Sequence, residues 1–90
     1  MLIMMMKAGF TPISLGKYVE LHLKSNPDMS REEVTDVLED AIRAYKSGAR
    51  CHCGNPIWVI VSAFVGNACF TCITGEAYPE DDYEIDEACV

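Results

Sequence analysis

Ninety residues carry 14 acidic and 7 basic side chains, a net charge of −7, and an apolar half. That size bounds the chain to one small domain whose core is marginal, and the apolar half excludes a generally disordered protein. All seven bases lie before Glu76, where they balance seven acids, and seven further acids follow without a base, so the net charge belongs to residues 76–90. With no basic cluster to meet a phosphate backbone, nucleic acid is disfavoured as a partner.

The chain divides into four stretches of a single domain, 1–90: an apolar leader at 1–12, a helical pair at 13–48, a cysteine-bearing β-hairpin at 49–75 and the acidic tail at 76–90. The opening "MLIMMM" stops at Lys7, too soon for a secretory signal or a span. The longest apolar run, Ile57 to Phe70, is broken by Gly66-Asn67, whereas a spanning helix needs about twenty apolar residues. The expectation is a cytoplasmic protein with no membrane partner, in a compartment that keeps thiols reduced.

Ser14 can cap a first helix from Leu15 to about Lys24, with Leu15, Tyr18, Val19, His22 and Leu23 at helical spacing and Pro27 forbidding continuation. The second helix has the stronger signal. Ser30 and Glu33 have capping-box spacing, and Val34, Val37, Leu38, Ala41, Ile42 and Tyr45 follow one helical stripe. Gly48 ends it as a left-handed C-terminal residue. The short linker between the two helices predicts an antiparallel pair.

"NPIWVIVSAFV" is rich in β-branched and aromatic residues, Gly66-Asn67 reads as a turn, and "ACFTCIT" reads as the returning strand. Alternation would place Ile57, Val59, Val61 and Ala63 on one face and Trp58, Ile60, Ser62 and Phe64 on the other, a strand covered on both sides. One face would meet the helices. The other would meet the leader, the tail or a second copy of the chain. In the tail, "DYEID" alternates, with Tyr83 and Ile85 opposed to Asp82, Glu84 and Asp86. It is either a short third strand on the sheet or a solvated tail. The fold class expected is therefore α+β.

Four of the five cysteines form two tight pairs: Cys51-x-Cys53, then fifteen residues, then Cys69-x2-Cys72. Zinc accepts four soft ligands in a tetrahedron, one short loop can fill two corners, and the intervening length is a usual one for such sites. Gly54 suits a tight loop, and Asn55-Pro56 would direct the chain into an extended segment. The candidate metal ligands are Cys51, Cys53, Cys69 and Cys72, with Zn2+ favoured over iron. A redox dithiol at Cys69-x-x-Cys72 and disulfides are the minor readings. His52, between two ligands, is expected to be exposed; His22, to be packed or at the surface; Cys89, to be a free exposed thiol.

Residues 51 to 75 resemble a zinc ribbon, in which two knuckle turns at one end of a β-hairpin each give two cysteines. The resemblance implies metal ligation by Cys51, Cys53, Cys69 and Cys72, although the first pair here is C-x-C where the family has C-x2-C. The "CxCG…CxxC" core is also similar to that of small bacterial proteins, a resemblance that brings no activity with it.

Four cysteines close a zinc shell and leave no position for water, and no nucleophile–base pair or carboxylate pair converges elsewhere, so no catalysis is expected. The function expected is a structural four-cysteine zinc site in a protein-interaction module that contacts a protein partner or a second copy. The alternative is a thiol-redox or metal-handling protein that uses the same cysteines.

Overall fold

The computed structural model describes residues 9–80 and 82–89. Most of the leader, residues 1–8, lies outside them. The described chain mixes α and β structure: β1 (Thr11–Ile13), α1 (Leu15–Ser25), α2 (Arg31–Lys46), α3 (Val59–Val65), α4 (Phe70–Thr74) and β2 (Tyr83–Ile85), followed by a 3-10 turn at Asp86–Ala88. No described helix is long and apolar enough to cross a membrane.

The first half forms as its local signals direct. Ser14 accepts a hydrogen bond from the Lys17 amide and starts α1. At α2 the Glu33 amide donates to Ser30 Oγ at 3.0 Å and the Ser30 amide donates to Glu33 Oε1 at 3.0 Å, a complete capping box. Gly48, at φ 93°, turns the chain out of α2 in the left-handed conformation. Val34, Leu38, Ala41 and Ile42 bury one stripe of α2, and Val19 of α1 joins them in the core.

The second half corrects the expected hairpin. Residues 59–65 are helix α3, and the returning segment holds the single turn of α4, so the two cysteine pairs are not joined by antiparallel strands. The only strand pair among the described residues is parallel, β1 with β2, with Thr11 opposite Tyr83 and Ile13 opposite Ile85. A continuous apolar run fits a buried strand and a buried helix equally well, because neither needs a polar face. The helix wins through its ends. At its start the Val59 amide donates to Glu84 Oε2 at 2.8 Å and the Ile60 amide to Glu84 Oε1 at 3.3 Å. At its end Gly66 leaves the helix at φ 91°. A carboxylate brought from the tail thus satisfies amides that a strand would have paired along a ladder.

The tail is accordingly no solvated appendage. Its short strand exists, but pairs with residues 11–13 and not with a hairpin. Its burial does not follow the simple alternation: Glu84 is fully buried along with Ile85, while Tyr83, expected on the face of Ile85, is 43% exposed. Trp58 Nε1 donates to the Tyr83 carbonyl at 2.9 Å, and Ile85 and Ala88 enter the core beside Leu38, Val59 and Phe70. Cys89, expected as an exposed thiol, is buried, and its Sγ lies 3.8 Å from the Glu84 carbonyl. The ion pair Lys46–Glu87, 2.8 Å and half exposed, adds little to this docking.

Candidate metal centre

The first pair of cysteines sits on a closed loop. Arg50 and Pro56 form an antiparallel bridge at its neck. Within it the Cys51 amide donates to the Asn55 carbonyl at 2.9 Å and the Gly54 amide to the Cys51 carbonyl at 2.8 Å. The turn passes through Gly54 at φ 97°, where a side chain would be strained. Arg50 Nη1 donates to the Gly54 carbonyl from outside and braces the loop. This loop lets a single intervening residue, His52, separate two cysteines whose sulfurs converge.

The second pair is set by a helix start. Cys69 is the N-cap of α4, and its Sγ accepts from the Cys72 amide at 3.4 Å. One helical turn then brings Cys72 back over Cys69, since residues three apart share a face. The two halves are fastened together beside the sulfurs. The Trp58 amide donates to the Ala68 carbonyl at 2.8 Å, and the buried Ser62 hydroxyl donates to that carbonyl and accepts from the Ala68 amide.

These two turns bring Cys51, Cys53, Cys69 and Cys72 together, with all four sulfurs within 4.8 Å of one another. The Cys53 and Cys69 sulfurs are 3.5 Å apart. Zinc–sulfur bonds near 2.3 Å put tetrahedral ligands about 3.8 Å from each other, so the spacing of the donor set is close to that of a single four-coordinate ion. Cys51 and Cys69 are buried, while Cys53 and Cys72 reach the surface. The aromatic rings of Trp58, Phe70 and Phe10 pack in tilted and edge-to-face contacts beside this end of the molecule, 5.1 to 5.7 Å between centroids. They wall a hollow of about 260 Å³ that Cys69 and Asn55 also line.

The sulfurs share protons as a group. Burial pushes the Cys69 thiol up, but hydrogen bonds from the Cys72 amide, the Asn55 side chain and the neighbouring thiols outweigh it and bring Cys69 down to about 6. Cys72, whose thiol is held by the sulfurs of Cys51, Cys53 and Cys69 in turn, is pushed up to about 12. Cys51 is lowered, first by the Cys53 amide, against the opposing effect of burial. A thiolate already present at neutral pH, ringed by further sulfur donors, is the electrostatic state in which a soft cation replaces protons.

His52 is exposed, as its place between two converging cysteines requires, and its Nδ1 lies 3.7 Å from Cys51 Sγ. His22 stands apart from the cluster: it is half-buried and stacks on Phe64, with centroids 4.6 Å apart. Sequence reasoning missed two residues. Asn55, read only as leading with Pro56 into an extended segment, directs its side-chain amide to Cys69 Sγ at 3.7 Å; a polar amide two residues after Cys53 was the available signal. Glu84, placed on the acidic face opposite Tyr83 and Ile85, is the buried cap of α3, and its position inside an apolar alternation gave no local signal of this.

No family of known domains, no curated protein and no solved structure matches this chain. The chemistry of the cluster must be judged on its own geometry.

Proposed function

We propose that the chain is a small zinc protein in which Cys51, Cys53, Cys69 and Cys72 hold one structural ion, and that it serves as an interaction module without catalysis in a reducing compartment. The observation that carries this reading is the convergence of four sulfurs from two separate turns. Four thiolates suit zinc, complete its tetrahedron and leave no coordination position for a substrate or water. Iron is accepted by the same donors and is the competitor to exclude. Asn55 and the amide of Cys72 would keep the sulfur of Cys69 oriented toward the ion, as outer partners do at metal sites.

A structural role follows from what the site joins. It ties the loop at residues 51–56 to the start of α4, across a segment that contributes Ile57, Trp58, Val59 and Ile60 to the core. In a domain this small, such a clamp supplies stability that the core alone lacks. The interaction role draws on Phe64 and Val65 at the end of α3, 39% and 63% exposed, which present apolar surface to a protein partner or a second copy.

Native mass spectrometry of protein purified without added metal tests the first part: one zinc per chain is expected, with a lowered melting temperature on chelation. A metal-free chain that melts at the same temperature as the native one overturns the reading. Sedimentation of the wild type against Phe64→Ser tests the second part for self-association.

A further inference from the structure

Building on the metal reading, we propose that the cluster is also an oxidation site, at which a hydroperoxide joins Cys53 to Cys69 and expels the ion while the two turns remain linked.

Three observations lead there. Cys53 is exposed, so a small oxidant reaches it, whereas Cys69 is buried beneath. Their sulfurs are 3.5 Å apart, already in contact. The two residues belong to different turns, so a bond between them spans the same gap that the ion spans. A bond within Cys51-x-Cys53 or Cys69-x-x-Cys72 would instead close one turn on itself and leave the two turns unjoined.

The chemistry balances with hydrogen peroxide as the two-electron oxidant. The Cys53 thiolate attacks one peroxide oxygen; the O–O bond breaks, a sulfenic acid forms and hydroxide leaves. The Cys69 thiolate then attacks the Cys53 sulfur; the S–O bond breaks, a second hydroxide leaves and the disulfide forms. Two sulfurs have lost two electrons, the peroxide has become two hydroxides, and solvent protons convert these to water. Only Cys51 and Cys72 remain as thiolate ligands. Two ligands do not hold the ion against solvent, so it leaves and those sulfurs take protons. A dithiol reductant reverses the bond and restores the four-sulfur site.

The consequence is a protein that releases metal without losing its fold. The disulfide keeps the loop at residues 51–56 against the start of α4, so the ion and the covalent bond act as alternative clamps at one place.

The test uses full-length Cys89→Ser protein, to remove the fifth thiol, loaded with zinc and shown by native mass spectrometry to hold it. One equivalent of peroxide is added; release is read with a chromophoric chelator, and the crosslink by peptide mapping after free thiols are blocked. Expected are one ion released per chain, a mass loss of two hydrogens, a Cys53–Cys69 crosslink, and a melting temperature above that of the chelated, reduced protein. Metal retained under peroxide, a crosslink at any other pair, or sulfinic acid without a crosslink overturns the inference while leaving the zinc site standing. Protein that takes no zinc at all overturns the metal reading and, with it, the expulsion. Cys53→Ser is a second check on metal-free protein: peroxide should then form no inter-turn crosslink, and one formed by another pair refutes the assignment.

Discussion

Glu84 is the residue on which the second half of the chain turns. Its carboxylate is fully buried and accepts from the amides of Val59, Ile60 and Ile85. Glutamine at this position keeps the shape but replaces one acceptor oxygen with a donor, which would face a backbone N–H. Leaving a buried donor unsatisfied costs about 1–3 kcal/mol. Glu84→Gln should therefore lower the urea midpoint at an unchanged slope, and Glu84→Ala, which also leaves a void, should lower it further. Equal stability of Glu84→Gln and the wild type would show that the cap is dispensable.

The cluster thiols carry the pH dependence. Cys69, lowered to about 6, is ionised at neutral pH in the metal-free protein, and Cys72, raised to about 12, keeps its proton. The sign follows for each. A lowered pKa adds stability above the ordinary thiol value near 9, and this is lost as pH falls through about 6. A raised pKa adds stability below that value, and this is lost as pH rises through about 12. Metal binding must displace the Cys72 proton but finds Cys69 already bare. Fewer than four protons should be released per ion near neutral pH, and affinity should fall steeply once the pH drops below about 6. Calorimetry in buffers of differing ionisation enthalpy counts those protons.

At the scale of elements, α3 shows how far sequence carries. Residues whose structure rests on neighbours three or four positions away were legible: the Ser14 and Ser30 caps, the α2 stripe and the Gly48 stop all stand as expected. The convergence of the cysteines was legible too, because it depends on two short turns with strong local signals. The α3 segment was not, because "IWVIVSAFV" has strand-forming residues and its helical state depends on Glu84, about 25 positions away in the chain. Tertiary contacts override β-propensity in this way when a segment's ends are held by partners distant in the chain. Ser62 makes the helical state testable. It is buried, on the inner side of α3, and bonds both the amide and the carbonyl of Ala68. Ser62→Ala removes both bonds and should cost about 1–2 kcal/mol, measured by denaturant unfolding. In a hairpin, Ser62 would have no such partner and the substitution would be nearly neutral.

Across the whole molecule, two fastenings meet on one short segment. The parallel pair of β1 and β2 joins positions more than 70 residues apart, Thr11 with Tyr83, so it closes a loop containing nearly the whole described chain and carries the entropic cost of doing so. The approach just before that pair is close: Gly9 sits at φ 88°, and a Cβ there would run into the Pro79 carbonyl. The cysteine cluster closes a much shorter loop in the middle. Between them lies the start of α3, held by the Ala68 carbonyl at the Trp58 amide from the cluster side and by Glu84 at the next two amides from the tail side. A metal ion that orders residues 51–72 also positions the amides that Glu84 caps, so metal binding and tail docking stabilise the same conformation. Linkage then makes each favour the other, by a factor of about 5 to 150 for couplings of ordinary size. Glu84→Gln, although it touches no sulfur, should therefore weaken zinc binding measurably in competition with a chromophoric chelator. In return, chelation should raise hydrogen exchange at Val59, Ile60 and Ile85 together. If Glu84→Gln loses stability yet binds zinc as tightly as the wild type, the clamp and the terminal sheet are independent, and the ion does no more than tie its own two turns.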